Sequence, residues 1–354
     1  MQPEPVTLGS HPRSDLRELA IRAASAGAAQ DLAPALELAR QVGTDLPRPG
    51  GGETLALWEA LATLGAADLT VARVVEPHLD ALAILQESGG TEIEPPLGAV
   101  LGVFGAEGGG GRLSADRGPQ DRWTLTGPKP WCSLSDEVTH ALLTAWVDEE
   151  GRGLFLVDLD DPGVRSQQDQ GPWVARGLSR VRSTGLLLER VPATAVGAPG
   201  WYLERPGFAW GGIGVATIWF GAAVAVGRRM RAASLRREPD QIALAHLGAV
   251  DVALARARAV LVDAAYVVDG PAGSPAAAQR LALRVRQVVA DCVEEILMRA
   301  GHALGPGPLA LEEEHARRVA DLGLYVRQHH AERDAAALGR TLLDPAGDGE
   351  WSWW

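Results

Sequence analysis

Trp123-Thr-Leu-Thr-Gly-Pro-Lys-Pro-Trp-Cys-Ser133 is the stretch whose reading decides the fold. Residues 123–126 are strand-forming types, and Gly127-Pro128 is expected to stop that run in a turn. Trp131 and Ser133 are two residues apart, so on an extended backbone they project from one face and offer a large π surface beside a hydroxyl. Taken alone, the segment reads as structural, because a strand Trp commonly supplies packing area and a Ser commonly closes a turn.

Outward from this run, the pattern changes twice. Residues 14–92 carry helical spacing (Leu32, Leu36, Ala39; Leu55 to Leu64; Leu79 to Leu85), interrupted by a Pro/Gly loop at 47–52. From Leu97, short apolar or alternating runs at 99–104, 122–126, 138–147, 154–159 and 186–191 are separated by Gly, Pro and Asp, which predicts antiparallel strands as far as Pro199-Gly200. Beyond that the chain is helical again. Ala245, Gly248, Val252, Ala255, Ala259, Val262 and Tyr266 make one continuous face, and Leu247, Leu254 and Leu261 a second seam. A helix with two apolar faces needs cover on both, so it belongs inside a bundle or at a subunit interface. Leu281, Val285, Val288 and Cys292 define another helix, and Ala331, Ala335, Leu338 and Leu342 the last.

The expected class is α+β multidomain: an N-terminal helical domain (1–95), a middle antiparallel β-barrel domain (96–200), a C-terminal four-helix-bundle domain (201–345) and a tail (346–354). The 354 residues suffice for two or three cores. A formal net charge of −12, without a long basic run, argues against a nucleic-acid partner. Two cysteines, Cys132 and Cys292, exclude a disulfide scaffold and suit a reducing compartment. With no export signal at the N-terminus, a cytoplasmic protein is expected. Residues 207–227 lack charge and have the length of a membrane span, yet their Gly and Ala content favours a buried bundle helix.

Gly127-Pro-Lys129-Pro-Trp131-Cys-Ser133 resembles the Gly-x-Lys-x-Trp-Ile-Thr-Asn pattern in the middle domain of the acyl-CoA dehydrogenase superfamily. The resemblance continues through Pro162-Gly-Val164, Ser183-Thr184 and Val191-Pro192, over roughly residues 97–340. The helix, barrel, bundle order is that family's architecture. The resemblance implies that Trp131 packs on a flavin ring and Ser133 bonds near flavin N5. It places Phe104 and the glycine loop to residue 111 where the family holds flavin and substrate, and Arg236 or Arg237 at the flavin pyrophosphate. Gly301 and Gly305 fall in a loop that meets the ADP portion across a dimer. As structural alternatives, the loop is simply flexible, Arg236 serves a helix dipole, and His302 belongs to a turn.

The family's base is a Glu eight residues after an Arg/Asp signature. Here Arg317-Arg-Val-Ala-Asp321 resembles that signature and the base position holds His329; the family's other base position falls near Gly211. An imidazole suits proton transfer at neutral pH, and superfamily monooxygenases also place a His near this helix. The alternative is a solvated polar helix start at 328–334. No metal is expected, since adjacent His329 and His330 on a helix would diverge by about 100° and no His-x-x-x-His occurs. Neither G-x-G-x-x-G nor a Walker lysine is present. The expectation is an FAD-dependent (rather than FMN-dependent) oxidoreductase performing α,β-dehydrogenation of an acyl-CoA or other acyl thioester, as a homodimer or homotetramer, with the electron acceptor open. The alternatives are a flavin monooxygenase of the same fold and a degenerate flavin-binding or scaffold subunit.

Overall fold

The computed structural model describes residues 3–9, 14–89, 93, 95–108, 110–149, 151–167, 171–236, 238–271 and 273–343. The expected tail at 346–354, and Arg237, lie outside the described residues. Helices α1 (Ser14–Ala28), α2 (Ala33–Asp45), α3 (Thr54–Ala67) and α4 (Leu69–Glu87) come first. The break between α3 and α4 is set by Asp68, whose carboxylate caps α4 by accepting from Val71 N.

Among the described residues seven strands follow: β1 (Leu101–Phe104), β2 (Ser114–Arg117), β3 (Trp123–Ser133), β4 (His140–Trp146), β5 (Arg152–Asp158), β6 (Val164–Gln167) and β7 (Ser183–Val196). Antiparallel pairing runs β4 to β5 to β7 to β3 to β2, and the pair Ser114–Trp146 returns β2 to β4, so five strands close a ring. The expected barrel wall is there, but its antiparallel character fails where β4 lies parallel to β1 and β2. No hairpin joins those strands to β4, so nothing obliges them to reverse. β2 and β6 escape the sequence pattern because they are four-residue and largely polar, with Ala115 the one fully buried residue between them.

The turn expected at Gly127-Pro128 is instead a bulge inside β3, with a register shift against β7 between Leu125 and Gly127. Gly127 has φ 125°, and a Cβ there would lie 2.4 Å from the Arg112 carbonyl oxygen, so glycine lets the strand continue.

Helices α5 (Trp201–Glu204), α6 (Pro206–Arg236), α7 (Gln241–Val268), α8 (Pro275–Leu304), α9 (Pro306–Leu311), α10 (Glu313–Tyr325) and α11 (Glu332–Thr341) complete the chain. By length and composition α6 would cross a bilayer, yet it is largely buried as the core helix. A glycine on each helix lets α6 and α3 meet closely: a Cβ on Gly221 of α6 would lie 1.9 Å from the Ala62 carbonyl oxygen, and one on Gly65 of α3 would lie 2.3 Å from that of Ile218. On α7, Val250, Ala253, Ala257 and Leu261 face the core. The face running through Val252 and Tyr266 is left outward in the single chain, these two being 58% and 68% exposed.

Candidate active site

A cavity of about 760 Å³ opens where α4, the end of β1, the end of β3 and the end of α10 meet. Three residues expected at a flavin, Phe104, Trp131 and Ser133, all line it. Trp131 and Ser133 reach it by a different route from the simple pleat: Trp131 has φ 58°, beside a register shift between Lys129 and Cys132. A left-handed backbone costs a bulky L-residue about 1–2 kcal/mol, and here it holds an indole 60% exposed.

Beneath this rim, Lys129 is 1% exposed and donates from Nζ to Thr144 O and Oγ1, both at 2.8 Å, and to Glu107 Oε1 at 3.0 Å. Burial drives the Lys129 pKa down, against the Glu107 charge. Burial acts to raise Glu107, but hydrogen bonding and charge from Lys129 outweigh it and hold the carboxyl below its ordinary value. This clasp fixes residues 105–108, the described start of the glycine loop, against Pro130 and Trp131. Gly109 lies outside the described residues.

The inner wall is charged. Arg73 Nη1 donates to Glu76 Oε2 at 2.8 Å and Nη2 to Ser133 Oγ at 3.3 Å, and its guanidinium lies over the Tyr325 ring at 5.1 Å. Ser133 Oγ is also 2.8 Å from Ser183 Oγ. Burial pushes Glu76 up to about 7 despite Arg73, with Asp80 adding to the rise. Sequence reasoning missed Arg73, Glu76 and Asp80. The available signal was their spacing of three and four on a largely apolar helix, which sets three charges on one face.

His329 is placed elsewhere. Helix α10 ends at Tyr325, a 3₁₀ turn covers Val326–Gln328, and His329 and His330 lie before α11 rather than on a helix. The 100° divergence expected for helical neighbours therefore does not describe them. His329 is 7% exposed, outside the cavity lining, with Nε2 3.7 Å from Asp334 Oδ2, and burial lowers its pKa. It is His330 that lines the cavity, with Nδ1 3.2 Å from Asp334 Oδ1. Among the described residues no group of three or more His, Cys, Asp or Glu is placed to hold a metal.

The Arg317/Asp321 signature ties distant parts together. Arg317 Nη2 donates to Asp68 Oδ2 at 2.7 Å, and Asp321 Oδ1 accepts from Leu178 N at 2.5 Å. Burial raises Asp321 to about 6. A Cβ on Gly177 would come 2.0 Å from the Ala320 carbonyl oxygen, so the loop from β6 to β7 rests directly on α10.

Arg236, Gly301 and Gly305 stand apart from the cavity. Helices α6 and α8 run parallel, joined near their starts by Arg286 Nη1 to Gly212 O at 2.7 Å and flanking a hollow of about 210 Å³ near Met230, Ala303 and Leu304. Arg236 is thus about 30 Å along α6 from Val215 on the cavity wall, at 1.5 Å per residue. Gly305, φ 67°, ends α8. His302 sits in the last turn of that helix rather than in a separate turn, 6.0 Å from the His246 ring.

No family model matches the chain. A Bacillus subtilis (strain 168) protein provisionally named as an acyl-CoA dehydrogenase, YdbM, is 30% identical over 84 residues, which is 23% of this chain; the match spans about a fifth (21%) of the relative's length. Solved structures align far more widely. Butyryl-CoA dehydrogenase from Megasphaera elsdenii superposes with TM-score 0.78 at 18% identity, covering 95% of this chain and 100% of that one. KijD3, solved with FMN and dTDP-3-amino-2,3,6-trideoxy-4-keto-3-methyl-D-glucose, gives 0.78 at 18% identity and 95% of both chains. Dibenzothiophene monooxygenase TdsC from Paenibacillus sp. A11-2 gives 0.69 at 18% identity, over 91% of this chain and 97% of that one. At such identities the likeness speaks for the backbone alone, and what it establishes is that this chain has the acyl-CoA dehydrogenase-like fold.

Proposed function

We propose that the chain is a cytoplasmic flavin-dependent oxidoreductase whose flavin ring sits against Trp131, beside Ser133 and Phe104. The observation that carries this reading is the convergence of those three residues on one cavity, with Trp131 held outward at a backbone cost. Fit to a polar-edged ring is supported by Trp173 on the same wall, whose buried indole N–H has no hydrogen-bond partner among the described residues. A flavin would supply a two-electron acceptor there. The chain's own residues would orient it through the Ser133 hydroxyl and the indole face, while the clasped 105–108 backbone limits water at the rim.

The favoured reaction is α,β-dehydrogenation of an acyl thioester. His329, expected as its base, would have to turn away from Asp334 to reach the cavity. A monooxygenase is the second reading, favoured by the charged wall of Arg73, Glu76 and Asp80, which suits a polar substrate better than a plain hydrocarbon chain. FAD is favoured over FMN together with a homo-oligomer: Arg236, Gly301 and Gly305 lie too far away to serve this chain's cavity and would meet the ADP portion of a partner's FAD. FMN would need no such partner.

The test is chromatography of any released flavin, then anaerobic titration of the loaded protein with acyl-CoA thioesters. Bleaching of the oxidised band is expected for a dehydrogenase. A loaded protein that stays oxidised with every thioester, but consumes oxygen once chemically reduced, supports the monooxygenase. A chain that takes up neither flavin refutes the proposal and leaves the scaffold reading.

A further inference from the structure

We propose that Glu76, on the N-terminal helix α4, is the proton acceptor of the cavity. This deepens the flavin oxidoreductase reading and rests on it. Glu76 and Asp80 are the carboxylates on the cavity wall among the described residues. They differ in their surroundings: Asp80 lies on the side of Arg205, 3.8 Å from its Nη2, whereas Glu76 is joined through one guanidinium to Ser133. Arg73 therefore acts as a positioning residue, fixing the carboxylate one side chain away from the hydroxyl that faces the proposed ring. Arg73 Nη1 bonds Oε2, so Oε1 is the carboxylate oxygen outside that pair and the one that would accept the proton.

The groups around Glu76 explain why it would exchange a proton near neutrality. Arg73 and Arg286 favour its charged form, Asp80 opposes it, and Tyr325 closes the side toward α10. Burial outweighs the cations and brings the carboxyl to about 7, near the value at which a general base works best at neutral pH. In the step, a bond from hydrogen to the substrate breaks, the proton forms an O–H bond at Oε1, and the electron pair stays on the substrate. His329 would then be a buried packing residue beside Asp334.

Two measurements decide this. First, the side-chain carboxyl of Glu76 is titrated by carbon-13 NMR in the flavin-free chain, with assignment from Glu76→Asp. A midpoint near 7 is expected, and one near the ordinary 4.5 overturns the proposal, whether or not Glu76→Gln folds. Second, flavin-loaded wild type, Glu76→Gln, Glu76→Asp and His329→Ala are mixed anaerobically with whichever acyl-CoA of the panel bleaches wild type. Glu76→Gln is expected to keep the flavin spectrum and bleach at least about 100-fold more slowly. Glu76→Asp should recover part of the rate, and His329→Ala should match wild type. Wild-type bleaching by Glu76→Gln, with loss in His329→Ala, overturns the assignment while leaving the flavin reading intact. If no thioester bleaches wild type, the dehydrogenase reading fails on its own, and the NMR midpoint still decides for or against Glu76.

Discussion

Replacing Lys129 by Met should loosen the rim of the cavity while preserving the side chain's volume. Two acceptors on Thr144 would lose their donor, at about 1–1.5 kcal/mol each. The ion pair adds less than a fully buried one, because the Glu107 side chain is 34% exposed. Removing a buried ammonium also ends its own desolvation, which offsets part of the loss and leaves a net of about 2 kcal/mol. Glu107 would keep Trp146 Nε1 at 3.2 Å and Arg152 at 3.4 Å, so the loop should shift rather than unfold. Urea unfolding measures the first effect, and equilibrium titration of the flavin-free chain with FAD or FMN the second. A weakening of flavin binding of about tenfold corresponds to 1.4 kcal/mol of that strain reaching the site. The pH dependence has a defined sign: Glu107, held below its unfolded value near 4.5, contributes stability above that value, which is lost as pH falls through its lowered folded value. Lys129→Met should flatten this acid limb. Unchanged stability and flavin affinity in Lys129→Met would refute the idea that the clasp holds the loop.

Gly221→Ala should destabilise by about 1–3 kcal/mol through collision with the Ala62 carbonyl, outweighing its helix-propensity gain of about 1 kcal/mol. Gly323→Ala, where a Cβ meets nothing, should stabilise, and thermal unfolding of the pair would show opposite signs. Asp321, raised from 3.8 to about 6, contributes stability below 3.8 that is lost as pH rises through 6. Asp321→Asn should therefore gain on wild type across that window by up to about 3 kcal/mol in urea unfolding, and a pH-independent difference would count against it. Trp131→Gly should leave the flavin-free chain at least as stable, by relief of the left-handed backbone, yet weaken flavin binding tenfold or more; equal affinity would remove Trp131 from the site.

The order of helices, barrel and bundle was legible because each part keeps its own period, 3.6 residues or 2, over long runs. The placement of Phe104, Trp131 and Ser133 on one cavity was legible because one local segment and one strand end carry them. The inner wall was not. Arg73 and Glu76 lie about sixty residues from Ser133, and what unites them is the packing of α4 against the barrel, which no local pattern encodes. His329 was misjudged geometrically because a single 3₁₀ turn after Tyr325 breaks the helical count on which its direction rested. The Gly127 bulge was mistaken for a turn because both demand positive φ, and the close approach of Arg112 that distinguishes them comes from the segment leading into β2.

The bond from Arg317 to Asp68 also says something about how the chain is made. Its partners are 249 residues apart, so at about 5–20 residues per second a ribosome needs roughly 12–50 seconds to supply the second after the first. Until α6 is made, and then α10 at the very end of that interval, the start of α4 and the surfaces meant for these two helices exist without their partners. The early helices are therefore the part of the nascent chain with most to gain from a chaperone, and a protein truncated before residue 317 should be caught by one.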